Sequence, residues 1–280
     1  MITISQLIEE GNKKLVAAGI DEPMVHSELI AAFVLNKSRT YLRAFNQNLV
    51  PDKQEKLFRT ILEEKLKGRP LAHIIGSCEF MGRIFNVSPT VLIPRPETEE
   101  LIEQSLKQLK MRLPNTILDL CTGSGCIAIS LAFLFHSAQV TAADISAEAL
   151  ETATTNARNL NVLKRIDFVK SDLFENINKS FDFIISNPPY IPTEIIKTLS
   201  PEVLCEPHIA LDGGKDGLDI IREIAQKADK YLNPGGLLAL EIGCAQAPKV
   251  VKFFREDIWQ KPQIIKDFAG IERFVFVRKK

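Results

Sequence analysis

Thr116-Ile117-Leu118-Asp119-Leu120-Cys121-Thr122-Gly123-Ser124-Gly125-Cys126-Ile127-Ala128-Ile129 passes from an apolar strand pattern into a turn of small residues. A helix pattern then begins with Ile127, Ile129, Leu131 and Ala132. Gly123 and Gly125 permit a tight turn and let a ligand approach the backbone. The start of the following helix presents free N–H groups. Nineteen positions beyond Gly125, a second strand pattern, Val140-Thr141-Ala142-Ala143, ends in Asp144. An acid at the end of the second strand of a β-α-β unit can accept both hydroxyls of a ribose. The dinucleotide pattern G-x-G-x-x-G is incomplete, since no third glycine follows, and G-x-x-x-x-G-K-[ST] is absent. A nucleoside without a pyrophosphate fits this turn better, and S-adenosylmethionine is the common one.

From Pro94 onward, strand and helix patterns alternate, which predicts a parallel sheet covered by helices on both faces. Strands are expected near 116–120, 138–143, 166–170, 181–186 and 236–241, with a helix from Pro96 toward Leu109. Ile264–Phe268 and Arg273–Val277 read as a closing hairpin through Gly270. Before Gly68-Arg69-Pro70 the chain reads as helices only. Gln6 to Val16 stops at Gly19, and Asp21-Glu22-Pro23 supplies a cap and an early proline for a second helix. That helix runs to about Leu35, with Leu29, Ile30, Phe33 and Val34 as its apolar stripe. Pro51-Asp52 opens another, holding Leu57, Ile61 and Leu62 and ending at Gly68. The expected division is a helical domain over 1–70, a β-hairpin linker over 71–93 and an α/β domain over 94–280.

The strand Phe181-Asp182-Phe183-Ile184-Ile185-Ser186 runs directly into Asn187-Pro188-Pro189-Tyr190. Two prolines deny the backbone its donors and restrict the residue before each of them, so the strand must end in a rigid corner. The Asn187 side-chain oxygen and the Pro188 carbonyl are acceptors there, and Tyr190 offers a ring. Such a corner suits a flat substrate with N–H bonds to donate; by itself it could equally be a surface turn.

With these motifs the chain resembles the class I S-adenosylmethionine-dependent methyltransferases that carry N-P-P-Y. More closely, it is similar to the peptide chain release factor glutamine methyltransferases. The likeness runs through Phe85–Glu99, including Ile93-Pro94-Arg95-Pro96-Glu97, and through Glu206-Pro207 with Ala210–Leu218. It continues in Glu241-Ile242-Gly243 with Gln246. One departure is Cys121, which stands where the family's loop usually has its first glycine. The resemblance implies a doubly wound seven-stranded sheet with an antiparallel last strand, and a helical domain that recognises substrate. It also implies methyl transfer to the Gly-Gly-Gln glutamine of release factors, leaving S-adenosylhomocysteine. Cys121, Thr122, Gly123, Ser124, Gly125, Asp144, Asp172, Leu173 and Asn187 are the cofactor-binding candidates. Asn187, Pro188, Pro189 and Tyr190 are the catalytic and substrate-binding ones. Arg95 is either a cofactor-side residue or the ion-pair partner of a nearby acid, and Glu206 and Asp216 are candidates to order the loop after the corner.

Composition narrows the alternatives. The chain carries 35 basic and 35 acidic residues, so no overall charge draws it to nucleic acid or to an anionic membrane. Residues 1–70 carry 11 basic and 9 acidic side chains and form no basic arm. No run has the length of a membrane span and no signal-peptide pattern opens the chain, so a cytoplasmic monomer is expected. Cys78, Cys121, Cys126, Cys205 and Cys244 form no C-x-x-C pair, which favours reduced thiols over disulfides or zinc. His26, His73, His136 and His208 show no catalytic pattern and are read as structural, and no metal is expected. Two competing readings remain. A methyltransferase for nucleic-acid amines would want a basic face and a means of reaching the base, and a ribosomal-protein glutamine methyltransferase would share the same corner. A non-catalytic cofactor binder is disfavoured by the intact corner beside Asp144.

Overall fold

The computed structural model describes residues 2–110 and 112–280. It contains two compact units, Met1–Gly76 with Pro201–Cys205, and Ser77–Ser200 with Glu206–Lys280.

The first unit is helical: α1 (Ile4–Ala17), α2 (Pro23–Leu35), α3 (Arg39–Ala44), α4 (Asp52–Leu66) and α5 (Leu71–Ile75). Thr3 and Gln6 cap α1 reciprocally, each side chain accepting from the other's backbone N–H. Leu7, Leu15, Ile30, Val34, Phe58 and Leu62 form its core. Three details depart from expectation. Leu29 and Phe33 of α2 and Leu57 of α4 are exposed, because Ile30, Val34 and Phe58 already fill the space between helices. Glu22, at the cap of α2, has a left-handed backbone and no side-chain capping hydrogen bond; Pro23 at the first helical position removes one donor that would need it. Leu71–Ile75, expected as part of the hairpin segment, forms the short helix α5, which Gly76 closes in a left-handed conformation (φ 82°). The segment 201–205 contributes Glu202, whose carboxylate pairs with the fully buried Lys65 ammonium.

The second unit opens with an antiparallel hairpin, β1 (Ser77–Phe80) and β2 (Arg83–Asn86). α6 (Pro96–Leu109) follows, then β3 (Thr116–Leu120), α7 (Cys126–Leu134), β4 (Gln139–Asp144), α8 (Ala147–Asn159), β5 (Ile166–Lys170) and β6 (Phe181–Ser186). A helix at Asp219–Tyr231 leads into β7 (Leu232–Glu241), and β8 (Gln263–Lys266) and β9 (Glu272–Arg278) close the chain. The seven-stranded sheet has the order β5-β4-β3-β6-β7-β9-β8, with β9 antiparallel to both neighbours. β7 starts four residues earlier than the pattern suggests, since Leu232 already pairs with Phe181 before a bulge resets the register at Phe183 and Leu237.

Alternate residues of each strand enter two different cores, as a sheet buried on both faces requires. Ile117, Phe183, Ile185, Leu237 and Ala239 pack with α7 on one face. Leu118, Leu120, Ile184, Leu238 and Leu240 pack with Ile221 and Ile224 of the Asp219–Tyr231 helix on the other. From β3 the chain winds outward to β4 and β5, then returns to place β6 on the opposite side of β3. The turns after β3 and β6 therefore diverge, and a crevice opens at this switch point.

Candidate active site

The turn after β3 is held almost entirely by its own backbone and by two acids. Thr122 N–H donates to the Ala143 carbonyl at 3.0 Å. The Thr122 hydroxyl donates to Asp119 Oδ2 at 2.6 Å, and the Ala128 N–H at the start of α7 donates to the same oxygen at 3.0 Å. Asp119 is fully buried, and that burial pushes its carboxyl up to about 7 against the pull of these two donors. Its Oδ1 has no partner among the described residues. Asp119 thus shapes the turn from beneath and does not line the crevice. Asp144, at the end of β4, accepts from Gly123 N–H (2.8 Å) and Ser146 N–H (2.9 Å), one on each carboxylate oxygen. Burial raises its pKa, and those backbone donors oppose the shift. Each oxygen keeps lone-pair capacity for a further donor. The buried Asn156 amide of α8 donates to the carbonyls of Ser124 (2.9 Å) and Asn86 (3.0 Å), tying this turn to the β1–β2 hairpin.

Cys121 holds φ 59°. This is the left-handed region in which glycine is unstrained and a residue with a Cβ costs about 1–2 kcal/mol.

The crevice encloses about 860 Å³ open to solvent. Cys121, Gly123, Asp144 and Ile145 line one side, with Asp172 and Leu173 after β5 beside them. Asn187 and Pro189 line the other side, and Leu92, Ile209 and Ile220 add apolar wall. This lining, apolar with a few convergent polar groups, suits a nucleoside ligand. The residues fit S-adenosylmethionine: Asp144 has acceptor capacity for the ribose hydroxyls, the side chains of Ile145, Leu173 and Ile220 can cover a base, and Gly123 leaves the backbone approachable.

The corner after β6 is held by distant parts of the chain. Asn187 Nδ2 donates to Thr98 Oγ1 at 2.9 Å, and Thr98 donates to Glu241 Oε2 at 2.8 Å. Tyr190 OH donates to Glu241 Oε1 at 3.2 Å. Thr98 lies in the first turn of α6 and Glu241 ends β7; both are buried. Burial pushes the Glu241 carboxyl up to about 7 although both hydroxyl donors favour its charged form. Among the described residues, neither Asn187 Oδ1 nor the Pro188 carbonyl oxygen accepts a hydrogen bond. The backbone of the corner is backed by glycine: a Cβ on Gly213 would lie 2.8 Å from both the Pro189 carbonyl oxygen and Tyr190 Cα. Gln246 Nε2 donates to the carbonyls of Tyr190 (2.9 Å) and Gly217 (3.1 Å).

Cys121, Gly123, Asp144, Asp172, Leu173, Asn187 and Pro189 come together around the crevice. Thr122, Ser124 and Gly125 are buried in the turn itself, Pro188 is buried within the corner, and the Tyr190 hydroxyl is turned to Glu241. Arg95 and Glu206 form an ion pair, and Glu206 also accepts from Ile93 N–H at 3.0 Å, joining the segment before α6 to the loop after the corner. Asp216 accepts from Leu218 N–H and pairs with Arg222 at 3.2 Å, so it orders that loop locally. The residues missed in the sequence are Thr98, Glu241 as a side chain, and Asp119. The two acids had a signal, each being a charge within an apolar strand, Ile117–Leu120 and Leu237–Ile242. Thr98 had none. Among the described residues no three His, Cys, Asp or Glu side chains gather in a metal-binding group, and no helix is long and apolar enough to cross a membrane. All five cysteines are free thiols.

Residues 6–76 match the family model described as PrmC N-terminal domain, and residues 100–205 match the Methyltransferase small domain. The chain is 39% identical over 281 residues to a release factor glutamine methyltransferase of Koribacter versatilis, across 99% of each chain. It is 41% identical over 254 residues to one of Thermodesulfovibrio yellowstonii, across 89% of this chain and 90% of that one. A solved methyltransferase from Pyrococcus furiosus shares the fold, with a TM-score of 0.53 and 21% identity over 72% of this chain and 90% of that one.

Proposed function

This chain belongs to the release factor glutamine methyltransferases, and on that premise we propose that it methylates the side-chain amide nitrogen of the glutamine in the Gly-Gly-Gln segment of peptide chain release factors. The observation that carries this reading is the Asn187 amide. Its Nδ2 is engaged by Thr98 while Oδ1 has no donor among the described residues, at a crevice whose other side carries Asp144.

S-adenosylmethionine, when bound, supplies a methyl group on a sulfonium centre, a strong electrophile. Cys121, Gly123, Asp144, Asp172 and Leu173 would hold it. The remaining task falls on the corner. An amide nitrogen is a weak nucleophile because its lone pair is delocalised into the carbonyl. As that nitrogen becomes tetrahedral and cationic, its N–H bonds donate more strongly. Asn187 Oδ1 and the Pro188 carbonyl, both without a donor among the described residues, are the acceptors for those two N–H bonds. Their stabilisation is therefore greatest in the transition state. Pro188 and Pro189 keep the backbone of the corner from relaxing. The proton is then lost to water from a strongly acidic cation, so no general base is needed before transfer.

On this reading the helical unit recognises the intact protein substrate, and the enzyme acts as a monomer in the cytoplasm, without nucleic-acid binding. The test is incubation with methyl-labelled cofactor and, in parallel, purified release factors, ribosomes and DNA, followed by mass spectrometric location of the label. Label on the Gly-Gly-Gln glutamine is the expected result. Label confined to a ribosomal protein or to nucleic acid would overturn the substrate assignment.

A further inference from the structure

We propose that Thr98 and Glu241 are positioning residues that dictate which end of the Asn187 side-chain amide faces the substrate. The inference rests on the reading of Asn187 as an acceptor for the substrate amide.

The argument is one of proton direction. A carboxylate can only accept, so an ionised Glu241 obliges the Thr98 hydroxyl to point its single proton at Oε2. The hydroxyl then has only lone pairs to offer Asn187. Asn187 must answer with a donor, and Nδ2 stands 2.9 Å from Thr98 Oγ1. Oδ1, the opposite prong of the same planar amide, is thereby the one left for the substrate. Tyr190 OH occupies the other carboxylate oxygen, so a second donor of the corner is referred to the same anchor. Reversing the proton between Glu241 Oε2 and Thr98 reverses the chain. Were Glu241 protonated and donating to Thr98, the threonine proton would be free to meet Asn187 Oδ1, and Asn187 would present its NH2 group to a substrate that also presents NH2. Two donors would then face each other at the reacting nitrogen.

The groups facing Glu241 come from three elements. Thr98 and Glu97 belong to α6, Tyr190 to the corner, and Arg273 to β9. Arg273 favours the charged carboxylate and Glu97 disfavours it, while burial pushes the carboxyl up to about 7. The productive orientation is thus the one that prevails as pH rises above about 7.

The test uses the full-length protein and three variants. Thr98→Val keeps the shape and removes the hydroxyl; it should lower kcat about 10²-fold, the scale of a misplaced catalytic group, with cofactor affinity within about threefold. Thr98→Ser keeps the hydroxyl and should restore most of kcat. Glu241→Gln cannot titrate, and should abolish an acid limb near pH 7 in the kcat profile of the unmodified protein. A readout independent of substrate is hydrogen exchange of the Asn187 side-chain amide by 15N NMR: slow in the unmodified protein and in Thr98→Ser, fast in Thr98→Val. Unchanged kcat and unchanged amide exchange in Thr98→Val would overturn the proposal. If release factors take no label at all, the substrate reading fails, while the amide exchange still reports on the orientation.

Discussion

The turn after β3 and the corner after β6 leave neighbouring parallel strands at the same edge of one sheet, yet they are built by opposite means. Most groups that hold the first lie within about 25 residues of one another: Asp119, Thr122, Gly123, Ala128 and Asp144. The side chains that hold the second come from 89 and 51 residues away, Thr98 and Glu241. On the proposed reading the first turn binds cofactor by presenting backbone and one acid, and a local segment is enough to do that. On the same reading the second aims a single amide at a developing charge, and its direction is set by protons on distant side chains. Local construction would then suit a cofactor site, and long-range construction a directional one.

Changes at four positions test that contrast. Asn187→Ala should produce the largest effect, a fall in kcat on the order of 10²–10³, as for loss of one preorganised group aimed at transition-state charge. Calorimetric titration should meanwhile show nearly unchanged cofactor affinity, because the damage is confined to the corner. Near-normal turnover in a folded variant would reduce the corner to a plain turn.

Asp144→Ala strikes the other side. Losing the charge-assisted bonds that Asp144 can offer should weaken cofactor binding by about 1.5–3 kcal/mol, measured by the same titration. Unchanged affinity would remove Asp144 from the site.

A stability measurement separates the buried acid of the first turn from that of the corner. Asp119 and Glu241 both have pKa values raised by burial to about 7. The folded state therefore holds their protons at pH values where the unfolded chain has released them. Each contributes stability that is fully present below its unfolded pKa and lost as pH rises through about 7. Between pH 5.5 and 8 the thermal midpoint of the unmodified protein should lose more than that of Asp119→Asn. Equal losses would show that Asp119 does not titrate in this window.

The smallest effect is expected for glycine at Cys121. Cys121→Gly should change stability by less than about 1 kcal/mol, because release of left-handed strain is offset by lost packing and greater freedom of the unfolded chain. Cys121→Val should cost more, about 2 kcal/mol, since a β-branched residue is least tolerant of positive φ. Chemical denaturation that ranks valine above glycine would break this account.

The same contrast explains what was legible in the sequence. Strand, turn and helix from Thr116 to Ile129, Asp144 at the end of the next strand, and the proline corner could be read directly, because each rests on nearest-neighbour chemistry: pattern, glycine freedom and missing donors. The apolar stripe of α2 was read less well, with Leu29 and Phe33 left exposed, since helical spacing marks an apolar face without saying which part of it a neighbour will cover. Thr98 carried no mark at all. A threonine in a helix's first turn is ordinary until a carboxylate from β7 is placed 2.8 Å away.

By itself, then, the sequence determined the alternation of strands and helices, the glycine turn after β3 and the proline corner, all properties of short stretches. Only the tertiary structure decided that β6 returns to the far side of β3, bringing the corner opposite Asp144. It also decided that Glu241 lies beneath the corner with Thr98 between it and Asn187. Strand order and proton direction depend on which distant groups become neighbours, and that follows from burial of the whole sheet between two cores rather than from any local preference.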